Sequence, residues 1–136
     1  RFYAPYLASS TGTYLQVTSG GEIVKYSSSR KYKKNIETLS VDREKFMKLR
    51  PVDFVWNEKS ASEGKKDKGL IAEEVAEIDQ ELAVFNEDGS IEGVDYHKIN
   101  IMLLKVVQDQ QKQIDKLVKA NDILLERIEA VEKMSK

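Results

Sequence analysis

The stretch Leu103-Leu104-Lys105-Val106-Val107-Gln108-Asp109-Gln110-Gln111-Lys112-Gln113-Ile114-Asp115-Lys116-Leu117-Val118-Lys119-Ala120-Asn121-Asp122-Ile123-Leu124-Leu125-Glu126-Arg127-Ile128-Glu129-Ala130-Val131 decides the fold. Within it Val107, Ile114, Asn121 and Ile128 recur every seven residues, and so do Leu103, Gln110, Leu117, Leu124 and Val131. The two series interleave with spacings of four and three, the a/d pattern of a left-handed coiled coil. The alternative is one long helix folded back on its own body; a stripe sustained over four heptads favours the coil. Asn121 falls at an a position, where a buried amide costs stability but specifies register, because a slipped alignment leaves it unpaired. Gln110, at d, is placed to act similarly. Arg127 at g and Glu132 at the following e are placed to pair between chains. Ile at a with Leu at d leans toward two strands. Val118 and Leu125 at e, with Ile123 beyond them, widen the apolar face and favour three strands or packing against another body.

Neither Pro nor Gly occurs from Tyr96 to Lys133, and Asp95 is a suitable N-cap. A helix over that span is about 57 Å long at about 1.5 Å per residue. It exceeds what a body of this size can cover, so most of it must project. Upstream, Glu81 to Phe85 and Ser90 to Val94 form a hairpin around Asn86-Glu87-Asp88-Gly89, in which Asp-Gly is a strong turn signal. Ala72 to Ile78 is a short helix with Leu70, Ile71, Val75 and Ile78 inward and Glu73, Glu74 and Glu77 on its solvated face. Asn57 to Lys68 reads as a surface loop. Val52 to Trp56 reads as a strand with Phe54 and Trp56 in the core, preceded by a helix from Val41 to Leu49 capped by Ser40 and stopped by Pro51.

Residues 1–27 differ in kind: they hold one Arg, one Lys and one Glu among many Ser, Thr, Gly and Tyr. Thr13 to Val17 and Glu22 to Tyr26 are short β-prone runs separated by Ser19-Gly20-Gly21, a second hairpin. Such a hairpin is too small to stand alone, so it is expected to end a larger β-structure. The fold expected is therefore α+β. A small mixed body of short strands and helices is preceded by a β-hairpin and followed by a long C-terminal coiled-coil helix.

Composition narrows the function. The chain of 136 residues is 33% charged at a net charge of −1, so its charge is solvated surface of both signs rather than a basic nucleic-acid face. No apolar run of about 18 residues marks a membrane span, and Arg1-Phe2-Tyr3 lacks the pattern of a signal peptide. With no Cys and one His, disulfides and thiolate chemistry are excluded and a zinc site lacks its usual ligands. His97, in the first turn of the long helix, suits a surface or capping role. Gly64-Lys65-Lys66 lacks the earlier Gly and the Ser/Thr of a phosphate loop. No cofactor and no metal is expected.

The residues with chemistry to offer lie in Ser27-Ser28-Ser29-Arg30-Lys31-Tyr32-Lys33-Lys34. A serine hydroxyl becomes a nucleophile when a neutral lysine takes its proton, and burial or nearby positive charge keeps a lysine neutral. Arg30, Lys31 and Lys34 are candidates to supply that charge to Lys33, with Ser28 as its partner. Spacing alone carries little, since a Ser and a Lys five apart are common.

Resemblance carries more. Ser28 to Ile36 resembles the Ser-Asp-x-Arg-x-Lys-x-x-Ile opening of the intramolecular chaperone domains of phage tailspikes, fibres and neck appendages, the endosialidase-type peptidase S74 family. Leu49-Arg50-Pro51-Val52-Asp53-Phe54-Val55-Trp56, Gly69-Leu70-Ile71-Ala72-Glu73-Glu74-Val75 and Val94-Asp95-Tyr96 follow in the family's order, then a long helix. The resemblance runs from Ser28 to about Gln113. The family's Asp after the serine is Ser29 here, its Arg is Lys31, and its frequent Gln is Glu73. The resemblance implies a homotrimer at the end of a β-rich fibre, assembled in the host cytoplasm and carried in the virion, with no nucleic acid or membrane as partner. It also implies release by autoproteolysis at Ser27–Ser28, with Ser28 as nucleophile and Lys33 as base. On this reading 1–27 is the end of the mature fibre and 28–136 the chaperone, with its body at 28–95 and its coiled-coil helix at 96–133. Alternatives are a trimerisation module that stays attached, a related self-cleaving domain of membrane-bound transcription factors, and a host-binding fibre tip using 57–68.

Overall fold

A computed structural model describes residues 15–17, 21–25 and 27–136. It is mixed α and β, with a long C-terminal helix. The chain divides into two compact units: the described part of Arg1–Thr38 with Phe85–Ser90, and Leu39–Val84 with Ile91–Lys136.

In the first unit β1 (Leu15–Val17) pairs antiparallel with β2 (Ile23–Lys25), Leu15 opposite Lys25 and Val17 opposite Ile23. Gly21 has φ of 80°, the left-handed backbone that lets the chain reverse. Thr13, Tyr14, Ser19, Gly20 and Tyr26, also assigned to this hairpin from sequence, lie outside the described residues. Beyond β2 the backbone makes a single 3₁₀ turn, Arg30–Tyr32.

The second unit holds the core. Phe46, Val75, Leu82, Ile99 and Val106 are buried, with Val41, Leu49, Leu70, Val94 and Met102 packed against them. Helix α1 is shorter than its apolar pattern suggests, spanning Arg43–Phe46. Its cap is Asp42, whose carboxylate accepts from the Lys45 N–H at 3.0 Å, and not Ser40. An ionised oxygen accepts the bond more strongly than a hydroxyl and complements the helix N-terminus.

Strand β3 (Val52–Val55) pairs antiparallel with β4 (Lys66–Gly69), Val52 opposite Gly69 and Val55 opposite Lys66. The expected loop 57–68 therefore ends in a strand. Lys66-Asp67-Lys68 carries no apolar signal; its place is set by the backbone ladder to β3 and by the Lys68–Asp53 ion pair directly across it. Phe54 is half-buried and Trp56 lies at the edge of the body, 39% exposed, with its ring edge-on to Phe54 at 5.0 Å. The indole N–H, at the wet side, donates to Asp67 at 3.3 Å.

Helix α2 (Ala72–Ile78) has the bounds read from sequence and buries Val75. A second 3₁₀ turn, Gln80–Leu82, leads to the β5 (Ala83–Phe85) and β6 (Ile91–Val94) hairpin. Gly89 takes φ of 83° in its turn.

Helix α3 runs unbroken through Tyr96–Met134, 39 residues, capped by Asp95, which accepts from the Lys98 N–H at 3.1 Å. It uses two faces. Ile99, Met102 and Val106, spaced by three and four, pack into the core. Arg43 donates to Gln113 Oε1 at 2.8 Å, at the start of the stretch, from Gln111 onward, in which every residue is exposed. The neighbouring a/d/e stripe faces outward along the whole helix. Its apolar members from Leu103 to Val131 are 49–68% exposed. Gln110 is half-buried and Asn121 exposed. The fold-back alternative thus holds only for the first third of the helix, which lies on its own body.

Candidate functional site

The geometry around the three serines follows from one tight turn. Ser29 has φ −64° and ψ 137°, and Lys33 has φ −122° and ψ 142°, so both flanks are extended. Between them the Tyr32 N–H donates to the Ser29 carbonyl at 3.1 Å and the Lys33 N–H to the Arg30 carbonyl at 3.0 Å. A 3₁₀ turn covers three residues per revolution, so two extended arms leave it side by side. Positions five apart then meet: Lys33 Nζ donates to Ser28 Oγ at 2.8 Å. Among the three serines it is Ser28, not Ser27 or Ser29, that receives this bond.

Small hydroxyl side chains bond readily to nearby backbone, and Ser27 does so. The Ser29 N–H donates to Ser27 Oγ at 3.3 Å, spanning the Ser27–Ser28 peptide. Ser28 and Lys33 are exposed, while Ser27 is half-buried, the one described residue between 21 and 40 that is not exposed. Ser27 and Ser29 share with Lys25, Lys31 and Tyr32 the wall of an open cavity of about 470 Å³. The Lys31 ammonium lies 4.9 Å from the centre of the Tyr32 ring, so it is held by a cation–π contact on the turn itself. Asn35, two residues past Lys33, has φ of 51°, the left-handed region that Asn tolerates better than most side chains.

The other blocks of the sequence are joined in pairs. Arg50 grips Glu74 with two parallel bonds, from Nε at 3.0 Å and from a terminal nitrogen. Glu74 is therefore an ion-pair partner and not simply a member of the solvated face, on which Glu73 and Glu77 remain. Tyr96, at the start of α3, accepts at its hydroxyl from the Leu70 N–H at 2.8 Å. A Cβ on Gly69 would lie 2.6 Å from that hydroxyl, so glycine is what allows Tyr96 in. His97 is exposed, and the cap is Asp95.

The Arg50 bond, more than its charge, holds the Glu74 carboxyl below its ordinary value of 4.5, and the same bond raises Arg50. A carboxyl with a lowered folded value stabilises the fold above its unfolded value and loses that contribution as pH falls through the folded one. Glu74→Gln should therefore melt below wild type at pH 7. The gap should close as the pH drops below about 4.5. Circular-dichroism melts from pH 7 to 2.5 check this, and a gap that stays constant would refute it.

Among the described residues no group of three or more His, Cys, Asp or Glu side chains is placed to hold a metal ion, and no helix is long and apolar enough to cross a membrane. Residues 28–85 match the family described as chaperone of endosialidase, peptidase S74. The match opens on Ser28 and closes on the last residue of β5, so α3 lies outside it. No curated protein matches the chain.

Proposed function

From the match of residues 28–85 to the family described as chaperone of endosialidase, peptidase S74, we propose that this module aligns three copies of its own chain through α3, assists folding of the fibre attached upstream, and then cuts itself free at Ser27–Ser28. The observation that carries the reading is the 2.8 Å bond between Lys33 Nζ and Ser28 Oγ, at the first residue of the family match. Along that line a neutral Lys33 accepts the hydroxyl proton as Oγ attacks the Ser27 carbonyl carbon. The carbon–nitrogen bond then breaks, Lys33 returns the proton to the Ser28 nitrogen, and the Ser27 acyl group is left as an ester on Oγ. Water hydrolyses the ester to a Ser27 carboxylate and restores the Ser28 hydroxyl. The sequence of steps consumes one water and needs no cofactor.

Assembly supplies the remaining condition. A lysine acts as base when neutral, which burial favours, and in the single chain Lys33 is exposed. The a/d/e stripe of α3 is the surface that brings neighbouring copies together. Its Val118 and Leu125 at e favour three strands over two, and its Asn121 sets their register. The mature fibre, with 1–27 as its end, would be assembled in the host cytoplasm and carried in the virion, with no nucleic acid or membrane partner.

The exposure of both side chains favours one other reading, a trimerisation module that remains attached. N-terminal sequencing of the fragment released on ageing or heating the full chain separates the two. We expect Ser-Ser-Arg-Lys, beginning at Ser28. A single uncut band under all conditions would establish the attached module instead.

A further inference from the structure

We propose that the Ser27 side chain is a positioning residue for the cleavage, an inference that rests on Ser27–Ser28 being the cut bond. Its hydroxyl accepts from the Ser29 N–H at 3.3 Å. That bond closes a small ring around the peptide to be broken and fixes the torsions on either side of it, ψ of Ser27 and φ of Ser28. These torsions decide how the Ser27 carbonyl carbon stands to Ser28 Oγ, because nucleophile and carbonyl belong to adjacent residues. A serine attacking its own preceding carbonyl closes a five-membered ring, and an extended peptide holds Oγ out of line with that carbon. Orientation of this kind is a large part of a reaction barrier.

Two features single out Ser27 from its neighbours. It is half-buried where its described neighbours are exposed, and it lines the cavity beside the turn with Ser29, Lys25, Lys31 and Tyr32. The Ser29 N–H that it receives belongs to the residue at the head of the 3₁₀ turn. The acyl side of the bond is thereby tied to the same turn that brings Lys33 to Ser28. Ser27 neither attacks nor takes a proton; it holds the target still for the pair that does.

The test compares Ser27→Thr with Ser27→Val. The two side chains have nearly the same shape, and only threonine offers a hydroxyl to the Ser29 N–H. The full chain is synthesised in a cell-free system, pulse-labelled, and its cleavage followed by gel from pH 6 to 10. Ser27→Thr should cleave within about twofold of wild type. Ser27→Val should be slower by about three- to tenfold, the worth of one neutral hydrogen bond. The loss should be the same at every pH, since neither nucleophile nor base is altered. Ser27→Asn, whose carbonyl makes the same bond, should recover most of the rate. Equal rates for the Val and Thr variants would overturn the proposal, and so would a Thr variant as slow as Val. Cleavage of Ser28→Ala at this bond, or a wild-type chain that never cuts, would instead remove the reading beneath it.

Discussion

Ser28→Ala should leave every chain uncut while it folds and associates as wild type does. The side chain is exposed and its substitution removes one surface hydroxyl, a change normally worth no more than about 0.5 kcal/mol of stability. Its effect on cleavage should be far larger, at least about a thousandfold, because no bond to the Ser27 acyl group can form without Oγ. Lys33→Ala should match it. Lys33→Arg is the sharper variant: it keeps a positive donor within reach of Ser28 but cannot surrender its proton at any working pH. If Lys33 is the base, the arginine chain stays intact; if Lys33 only holds Ser28 in place through the 2.8 Å bond, the arginine chain cuts. The double variant should be no slower than either single one, since residues that act as a unit are not additive. Gel assays over days with N-terminal sequencing of any product decide the matter, and a Ser28→Ala chain still cut at this bond would end the assignment.

If α3 is the clamp of the proposed trimer, Leu117→Asp combined with Leu124→Asp should leave the chain monomeric. Both leucines sit at d, 68% and 52% exposed in the single chain. Closing the stripe would bury each, at about 1.5–3 kcal/mol per side chain. A carboxylate in their place must be desolvated against two copies of itself or keep the helices apart. Over the six leucines of a trimer the sum is at least about 9 kcal/mol, roughly a millionfold in association constant. The body should survive, because Ile99, Met102 and Val106 contact it from a different face of the same helix. Sedimentation equilibrium gives the oligomer, and the same preparations should lose cleavage in step with trimer content. A Leu117→Asp, Leu124→Asp chain that remains trimeric would remove α3 as the clamp, and a monomer that still cuts at the wild-type rate would break the link between assembly and cleavage.

The parts of this fold that were legible in sequence are those whose signals are local. Helix α2 and the start of α3 follow from apolar period and from Asp95, and the Gly89 turn from Asp88-Gly89. What was hidden depends on partners far along the chain. Strand β4 has charged residues and no pattern, and exists because β3 offers it a ladder. Asp42 outcompetes Ser40 as a cap through geometry that a string of residues does not contain. Arg50 with Glu74, and Leu70 with Tyr96, tie blocks that stand in order in the sequence but whose pairing has no period to betray it. At the candidate site, the pairing of Ser28 with Lys33 was legible through resemblance and spacing. The bond from the Ser29 N–H to Ser27 Oγ was not, because a hydroxyl bonding nearby backbone is decided by torsions and not by residue type.

The order of Ser28 and the α3 stripe along the chain has a bearing on time. A ribosome adding about 5–20 residues per second needs about 5–20 s to pass from Ser28 to Ile128, roughly one hundred residues later. On the proposed function, throughout that interval the bond to be cut has been made and the stripe that would align the copies has not. A pair already enclosed and active within one chain would sever the tether during synthesis and strand the fibre before its strands were in step. On the proposed function, the open, solvated setting of Ser28 and Lys33 in the lone chain acts as a delay: the cut would wait for neighbours, whose arrival would signal that the tether has finished its task.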